Sequence, residues 1–304
     1  RHAFAKLSLP LLVLALVFLS AGYALSIVRW WWMFRVLQQS LQLKACAWPF
    51  LTSIAVNNIL QFRAGDALRV FGFRRQLRSP AVRVLGTLII ERMLDLLALL
   101  GFFFIGLLGL PAGVFSESFV RIATWLAGLS VAGLLLLVLI TPWVGRLIDR
   151  IAEQDFLARR NLSDVVARHG SHFISALALV RSPSRLLGLL GLSIVTWGFE
   201  GAVFATVAAA VSAGVDPLGP WFSLGTGTLA TLIPSSPGYV GTFDYFAAQG
   251  LLAYGADAEI SVAFALTVHV VLWLPLTVAG IGYLMVQGTR FWAIKPIASA
   301  ASKE

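Results

Sequence analysis

The sequence predicts an all-α, polytopic membrane protein with about five to six full transmembrane helices and two re-entrant broken hairpins, arranged as an inverted repeat. Three observations lead to this fold class. The 304-residue chain is 59% hydrophobic and only 12% charged, with a mean hydropathy of +0.86, whereas a soluble domain carries about 25% charged residues. Five apolar runs are each long enough to cross a bilayer. Two further apolar stretches are interrupted by polar residues, Gly or Pro.

The five apolar runs lie near residues 7–28, 84–108, 121–143, 186–212 and 260–287. A helix needs about 20 residues to cross a hydrocarbon core of about 30 Å, and each run meets that length. Because the backbone cannot hydrogen-bond to lipid, each run must be helical. We therefore treat 1–304 as one membrane domain, with a first half near 1–143, a cytoplasmic linker near 144–185 and a second half near 186–290.

The arginines predict the orientation of the chain. The 62–83 loop holds six Arg and one acidic residue, and the 144–185 loop holds seven Arg and four acidic residues. The positive-inside rule places both loops and the C-terminus in the cytoplasm. Arg29, Arg35 and Lys44 are expected on the same side, so the segment 45–77 must enter and leave the membrane from the cytoplasm. The same rule explains the net charge of +9 without a nucleic-acid partner.

Two interrupted segments are the most informative feature of the sequence. The first reads NNILQFRAGDALR (57–69), and the second, PSSPGYVGTFD (234–244), separates apolar pieces of about 14 and 16 residues, each short for a full crossing. Its Pro and Gly residues break a helix. One hairpin from each face, each ahead of a long helix, is typical of an inverted repeat and points to a transporter's midplane site. The alternative is two pairs of loop-linked short helices without function.

The cytoplasmic linker predicts two amphipathic helices, one beginning near Val144 and one spanning 162–180. Val144, Leu147, Ile148 and Ile151 recur at helical spacing beside charged residues, which is typical of a helix lying on a membrane surface. Its arginines either contact anionic headgroups or form a solvated face.

Charged residues within the apolar runs are candidate site residues, because an ionisable group at the bilayer centre costs about 2.5–3.5 kcal/mol. Glu91, Arg92 and Asp95 lie in the 84–108 run, and Arg92 and Asp95 are close enough in a helix to meet. Two acids and one base leave a negative charge, so we expect Arg63 and Arg69 to dock there. The cluster is either a structural staple for the first hairpin or part of a functional site.

Three more polar residues are embedded in apolar sequence. Glu200 is the strongest candidate, because an unpaired carboxylate in a span is costly. His269 is either a hydrogen-bonded helix contact or a ligand, and the pattern favours the contact. Asp244 follows Gly238 and Gly241 and is expected to cap the half-helix after the second break. Free N-termini of broken helices also attract phosphate.

The sequence offers no motif for a catalytic, metal or cofactor site. It lacks GxxxxGK[ST], GxSxG, HExxH and paired CxxC patterns. His169 and His172 have no third ligand nearby in sequence. Cys46 is the single cysteine. A membrane-embedded lipid transferase using Glu91, Asp95 or Glu200 as a base is the enzymatic alternative.

Four blocks occur in order along the chain: RWWWMF, NNILQFRAGDALR, ERMLDLLALL and PSSPGYVGTFD. They resemble the signature blocks of the lysylphosphatidylglycerol synthase transmembrane-region family, also called flippase-like domain proteins. The family usually has Pro near Gln61 and often Glu at Asp66 and Asp244, and it usually has one more N-terminal helix. The residues on family motif positions are Asn57, Asn58, Arg63, Gly65, Asp66, Arg69, Glu91, Arg92, Asp95, Pro237, Gly238, Gly241 and Asp244.

The resemblance implies movement of a phospholipid, glycolipid or polyprenyl-linked lipid across the bacterial inner membrane, with these positions binding the substrate. The best-known members move aminoacylated phosphatidylglycerol and carry a soluble aminoacyl transferase domain. Residues 1–304 do not contain that domain, so the lysyl-lipid substrate is not carried over. The implied partners are membrane lipids with anionic or zwitterionic headgroups and a lipid-modifying or glycan-synthesis enzyme. A non-transporting partner of such an enzyme is the main alternative function.

Overall fold

The computed structural model describes residues 7–37, 41–110 and 163–292, together with scattered positions between 117 and 143. Within the three continuous ranges the chain forms ten α-helices and two short 3-10 helices, and no strand. The all-α class is therefore confirmed. Most of the 121–143 run and the amphipathic helix predicted to begin near Val144 lie outside the described residues.

The first half consists of α1 (Leu9–Leu37), α2 (Leu43–Ile59), α3 (Ala64–Phe71), α4 (Arg74–Leu77) and α5 (Ala81–Leu108). The second part consists of α6 (Ser163–Leu177), a 3-10 turn (Ala178–Arg181), α7 (Pro183–Ala210), α8 (Leu218–Ala230), a second 3-10 turn (Pro237–Tyr239), α9 (Thr242–Leu252) and α10 (Ala258–Trp292). α6 matches the helix predicted over 162–180.

Three helices are long and apolar enough to cross a membrane: Leu9–Leu37, Pro183–Ala210 and Ala258–Val286. They establish a multi-pass membrane protein. α5 has 28 residues, but the charges of Glu91, Arg92 and Asp95 lower its apolar character. These charges are therefore expected to need partners within the protein.

α1 and α7 pack tightly in antiparallel directions. Ser8, just before α1, donates its backbone N–H to the carbonyl oxygen of Ala210 at the end of α7 (3.2 Å). At the middle of α1, a Cβ on Gly22 would lie 3.2 Å from the Cβ of Phe199. Small residues allow this close approach where two membrane helices meet.

α5 connects the two ends of the bundle. Near its start, Gly86 faces Ala176 of α6, where an added Cβ would lie 2.6 Å from the Ala176 Cβ. Near its end, Gly106 faces Phe222 of α8, and its carbonyl oxygen accepts a hydrogen bond from the Tyr254 hydroxyl. α6 and α8 therefore pack at opposite ends of α5.

The first break is a tight turn between α2 and α3. Phe62 and Arg63 have left-handed backbone angles, with φ of 59° and 52°. The side-chain Oδ1 of Asn57 accepts hydrogen bonds from the backbone N–H groups of Gly65 (2.8 Å) and Asp66 (3.3 Å). The turn thus forms without the Pro that the family usually has near Gln61, and the Asn57 amide caps the helix that follows.

Gly65 allows α3 to fold back against α2. A Cβ at this position would overlap the backbone carbonyl oxygen of Ser53. We expect Gly65→Ala to lower the free energy of unfolding by roughly 1–3 kcal/mol, the usual effect of overpacking, measured as a lower melting temperature of the detergent-solubilised protein.

The matched control for this prediction is Gly101→Ala. A Cβ on Gly101 has no heavy atom within 4 Å, and Ala is about 1 kcal/mol better than Gly inside a helix. This variant should be at least as stable as the wild type. Equal stability of the two variants would contradict the close packing of α3 on α2.

The second break separates α8, of 13 residues, from α9, of 11 residues. The chain between them contains Pro234 and Pro237, and Gly238 and Gly241 have positive φ of 66° and 86°. Both helices are shorter than the roughly 20 residues of a full crossing. The break lies where its Pro and Gly residues predict it.

The two breaks lie side by side because α10 holds both. Asn58 at the first break donates its side-chain N–H to Thr277 Oγ1 (2.9 Å) and to the Trp273 carbonyl oxygen (3.4 Å). Trp273 in turn donates its indole N–H to the Asn58 carbonyl oxygen (3.1 Å). A Cβ on Gly238 of the second break would lie 3.0 Å from that same oxygen.

The two hairpins open toward opposite ends of the bundle. Near the open end of the α2–α3 hairpin, Trp48 stacks on Tyr283 of α10, with ring centroids 4.6 Å apart. Near the open end of the α8–α9 hairpin, Tyr254 contacts the end of α5 and precedes the start of α10. α10 therefore runs from the open end of one hairpin, past both breaks, to the open end of the other.

Candidate functional site

A cavity of about 220 Å³ lies where the two breaks face α1, α5 and α7. Two adjoining spaces, of about 140 and 270 Å³, follow the second break and share Asn58 or Arg63 with the main cavity. The predicted site residues that line the main cavity are Asn57, Asn58, Arg63, Glu91, Arg92, Asp95 and Glu200. The fold thus brings the two breaks, one from each part of the chain, to one polar space.

Arg69 and Glu91 form a buried ion pair beside this cavity. The two side chains are 0% and 1% exposed. Arg69 Nη1 donates to Glu91 Oε1 (3.2 Å), and Nη2 donates to Oε2. The guanidinium carbon lies 4.0 Å from the ring centroid of Trp30 and 4.7 Å from that of Phe50. A buried, bidentate and stacked pair of this kind fixes α3 on α5.

Asp95 pairs with Arg29 of α1. Arg29 Nη1 donates to Asp95 Oδ1 (2.5 Å) and Nη2 donates to Oδ2 (3.1 Å). Arg29 also donates to Ser193 Oγ (2.5 Å), and the Trp197 indole N–H donates to Asp95 Oδ1 (3.2 Å). The pair therefore joins α1, α5 and α7.

The sequence interpretation of Arg29 is wrong. It treated Arg29 as a cytoplasmic flank of the 7–28 run, whereas the helix continues to Leu37 and Arg29 is 1% exposed. The expected contact between Arg92 and Asp95 is also not made, because Asp95 is occupied by Arg29. Likewise, Arg63 does not dock on Glu91, whose close partner is Arg69.

Arg92 connects α5 to the first break while facing the cavity. Its Nη2 lies 3.3 Å from Asp66 Oδ1 and 3.7 Å from Glu91 Oε1. Asp66 also accepts a hydrogen bond from the Asn57 side chain (3.1 Å). Because the Arg92 side chain is 39% exposed, part of its positive charge is available to a ligand.

Arg63 and Glu200 are the two charged residues on the cavity wall that do not belong to the ion pairs described above. Neither has an ion-pair partner within the part of the chain that the structure describes. Arg63 lines both the main cavity and the space between the two breaks, and Glu200 lines the main cavity and the space toward His269. These two side chains are the best placed to hold oppositely charged or polar parts of a ligand.

Asp244 and His269 connect α9 to α10. Asp244 Oδ2 accepts the backbone N–H of Gly241 (2.8 Å), and Oδ1 lies 2.7 Å from His269 Nδ1. Asp244 thus caps α9 as expected, and His269 makes a helix contact and borders the 140 Å³ space.

The N-termini of the half-helices are not free anion sites. Asn57 caps α3 and Asp244 caps α9, and the Asp244 carboxylate places negative charge where a phosphate would bind. The expectation that these N-termini attract phosphate is therefore wrong.

Sequence reasoning missed several residues that build the site. Arg29, Trp197, Trp273 and Thr277 position the cavity wall or the breaks through the hydrogen bonds above. Arg29, the first residue of the RWWWMF block, could have been identified from the sequence. An arginine near the end of an apolar helix can form an ion pair with an acidic residue of another helix. Pro237, Gly238 and Gly241 shape the second break; of these, Gly238 borders the two adjoining spaces of about 140 and 270 Å³.

Metal binding has no support in this site. Across 7–37, 41–110, 163–292 and the scattered described positions, no group of three His, Cys, Asp or Glu side chains is placed to hold an ion. His172, one of the two histidines noted in the linker, lies 2.7 Å from an Arg83 nitrogen through its Nδ1.

The fold and site define a class: a multi-pass helical membrane protein with two broken hairpins meeting at a charged, partly enclosed cavity. Within that class, the chain belongs to the family of the lysylphosphatidylglycerol synthase TM region, whose model matches residues 1–280. The resemblance of the four sequence blocks is thereby confirmed.

A curated relative is similar over part of its length. The protein named glycosyltransferase AglD from Haloferax volcanii is 27% identical over 216 residues, which cover 62% of this chain and 34% of the relative. The chain thus matches about a third of that longer protein. No solved structure matches the chain. The family and the relative together support a function connected with membrane lipids or glycans.

Proposed function

We propose that this chain moves a lipid with a phosphate-bearing, anionic or zwitterionic headgroup between the leaflets of the bacterial inner membrane. One observation carries the proposal: two broken hairpins that open toward opposite ends of the bundle meet at a cavity lined by Arg63, Arg92 and Glu200. Broken helices that meet near the middle of a membrane are typical of transporter substrate sites.

The proposed topology places the whole chain in one membrane domain. In this topology α1, α7 and α10 cross the membrane, and α5 and the predicted 121–143 run add two further crossings to give five. The α2–α3 hairpin enters from the cytoplasm and the α8–α9 hairpin enters from outside, with the C-terminus cytoplasmic. The irregular backbone of both breaks then lies at mid-membrane, where it lines the cavity and the space between the breaks, a placement that the bilayer tolerates for non-helical backbone.

The cavity suits a headgroup that must leave water. A phosphate loses hydration when it crosses, and guanidinium groups replace part of it with charge-assisted hydrogen bonds. Arg63 lacks an ion-pair partner among the described residues, and Arg92 is only partly covered by Asp66 and Glu91. The acyl tails can stay in the bilayer, so only the polar headgroup needs a protein-lined path.

Transport in this proposal is passive or ion-coupled, because the sequence carries no nucleotide-binding motif. Glu200 and His269 are the available proton carriers, since both border the cavity system. Asp95 is a weaker choice than the sequence suggests, because Arg29 and Trp197 already occupy its oxygens.

The hairpins can be tested by labelling single cysteines in a Cys46→Ala background. Lys44 and Arg75 are exposed residues near the two ends of the first hairpin in the sequence. Asp216 and Ala258 are exposed residues that flank the second hairpin in the same way. We expect Lys44→Cys and Arg75→Cys to react with an impermeant thiol reagent only from the cytoplasm, and the other two only from outside. If Lys44→Cys and Arg75→Cys label from opposite faces, α2–α3 crosses the membrane and the topology is wrong.

Lipid transfer can be measured with purified protein in liposomes that contain fluorescent lipids, by quenching the outer leaflet. We expect the wild type to expose inner-leaflet lipid and Arg63→Gln to slow this by about tenfold, the effect of roughly 1.4 kcal/mol lost from a charge-assisted contact. The melting temperature should stay near that of the wild type, because Arg63 makes no ion pair among the described residues.

Arg75→Gln is the matched control, because it removes an exposed Arg of the same 62–83 segment that does not line the cavity. It should transfer lipid at the wild-type rate. Transfer by the wild type no faster than in protein-free liposomes, for lipids that co-purify with the protein, would contradict the proposal.

One observation favours a second candidate function, a membrane partner of a glycan-synthesis enzyme. The similarity to the protein named glycosyltransferase AglD covers only 34% of that protein, so a related membrane region occurs there within a longer chain. A partner that only anchors or positions an enzyme should tolerate Arg63→Gln, whereas a transporter should not. The two functions are therefore separated by the same variant.

A further inference from the structure

Two threonines on the cavity wall have hydroxyl groups without partners. The Oγ1 atoms of Thr196 in α7 and Thr228 in α8 are buried and make no hydrogen bond within the described residues. Thr196 is only 7% exposed, and both residues line the 220 Å³ cavity. A buried polar group without a partner is costly, so it signals a missing ligand or water.

The other threonine hydroxyls of α7 and α8 have hydrogen-bond partners. Thr206 of α7 donates to the Ala202 carbonyl oxygen (2.6 Å), and Thr226 of α8 donates to the Phe246 carbonyl oxygen (2.8 Å). A helical Thr hydroxyl normally finds a backbone carbonyl in the preceding turn. Thr196 and Thr228 depart from this pattern on the cavity wall, on two different helices.

Further hydrogen-bonding groups surround these two hydroxyls. Glu200 follows Thr196 by four residues and so shares its face of α7. Tyr23 and Tyr239 line the same cavity. The adjoining 140 Å³ space is also lined by Tyr23, Glu200, Thr228 and Tyr239, but not by Thr196. This part of the wall is rich in hydroxyl groups, whereas Arg63 and Arg92 provide its positive charge.

The hydrogen-bonding capacity of the Thr and Tyr hydroxyls favours some lipid headgroups over others. A Thr or Tyr hydroxyl is both donor and acceptor, so it is satisfied by a ligand that also donates and accepts. An ammonium group only donates, so it leaves the hydroxyl hydrogens of the wall without acceptors. A polyhydroxylated ring offers both roles, and the Glu200 carboxylate can accept from ring hydroxyls.

We infer that the headgroup held in this cavity is a phosphate joined to a polyhydroxylated, sugar-like group, with the phosphate at Arg63 and Arg92 and the hydroxyls at Thr196, Thr228 and Glu200. This inference rests on the proposed lipid translocation and narrows its substrate class. The 140 Å³ space beside Tyr239 gives the polyhydroxylated group room beyond the main cavity.

The test compares three fluorescent probes that share their acyl chains, in liposomes containing the wild type. They are phosphatidylinositol, with a polyhydroxylated ring, phosphatidylglycerol, with a short diol, and phosphatidylethanolamine, with an ammonium group. We expect phosphatidylinositol to move at least about fivefold faster than phosphatidylethanolamine, a difference on the scale of one net hydrogen bond.

The variant that tests the wall is Thr196→Val with Thr228→Val, which keeps side-chain shape and removes both hydroxyls. It should slow phosphatidylinositol transfer by about fivefold or more and slow phosphatidylethanolamine transfer less, so that the preference for phosphatidylinositol is lost. Its melting temperature should equal or exceed that of the wild type, because the lost hydroxyls have no partner without ligand. Thr206→Val is the control, since that hydroxyl bonds the Ala202 carbonyl oxygen.

Binding separates this inference from the transport proposal. Native mass spectrometry of the detergent-solubilised protein measures retention of the same three lipids. Preferred retention of phosphatidylinositol, lost in the double Val variant, supports the headgroup class even if no lipid moves in liposomes, a result that would defeat transport alone. Equal retention and equal transfer of all probes, or a preference for phosphatidylethanolamine, overturns the inference while leaving lipid translocation intact.

Discussion

Replacing Glu91 by Arg is expected to destabilise the protein strongly, and Arg69→Glu in the same chain should restore part of the loss. Glu91 and Arg69 are almost completely buried, and the Arg69 guanidinium stacks against Trp30 and Phe50. Breaking a buried pair leaves an uncompensated charge and costs about 3–5 kcal/mol. The measurement is thermal unfolding of the detergent-solubilised protein for both single variants and the double variant.

Rescue should be partial and specific. In the reversed pair, the guanidinium introduced by Glu91→Arg lies near Arg92, whose Nη2 is 3.7 Å from Glu91 Oε1 in the wild type, so some repulsion stays. Arg63→Glu in the Glu91→Arg background is the control, and we expect no rescue from it because Arg63 makes no ion pair with Glu91. Equal rescue by Arg63→Glu and Arg69→Glu would show that the pairing described here is wrong.

The charged residues divide into structural and ligand-facing groups. Arg29–Asp95 and Arg69–Glu91 are bidentate and join α1, α3 and α5. Arg92 joins the same cluster but keeps a third of its side chain or more accessible. The paired groups hold the walls of the cavity, and Arg63, Arg92 and Glu200 are the residues that we propose to contact the ligand.

Local sequence properties predict much of the fold. Hydropathy locates α1, α7 and α10, and the Pro and Gly residues between 234 and 241 locate the second break. These features depend on residues that are neighbours in the chain. The same holds for Asp244, whose position three residues after Gly241 favours capping of α9.

Contacts between distant residues escape this reasoning. Arg29 and Asp95 are 66 positions apart, and their pairing depends on the rotation of two helices, which hydropathy does not determine. The positive-inside rule counts Arg29 with the flanking charges because it reads composition and not direction. The contact of Asn58 with Trp273, 215 positions apart, cannot be predicted from local sequence for the same reason.

The first break also shows a limit of motif comparison. The family's usual Pro near Gln61 is absent here, yet the turn forms through the positive φ of Phe62 and Arg63 and through the Asn57 cap. Motif comparison identifies Asn57 as a family position, but its role is visible only when α3 folds back beside α2. A side chain eight positions before Gly65 is outside the local capping patterns.

The second large effect concerns movement between the two breaks. Gln61 and Ser236 are exposed residues on opposite breaks, and both line the 270 Å³ space between them. Cysteines at both positions, in a Cys46→Ala background, can be joined by a bifunctional thiol reagent with a reducible spacer. If a headgroup passes between the breaks, joining them should block its path and reduce lipid transfer to the level of protein-free liposomes.

The decisive measurement is lipid transfer by this double-cysteine protein before linking, after linking and after reduction, with linking verified by mass spectrometry. Gln61→Cys and Ser236→Cys alone, treated with the same reagent, are the controls for modification without a link. If the headgroup passes between the breaks, transfer should stop only in the linked double variant and return on reduction. Unchanged transfer by the fully linked protein would contradict passage of the lipid headgroup between the two breaks.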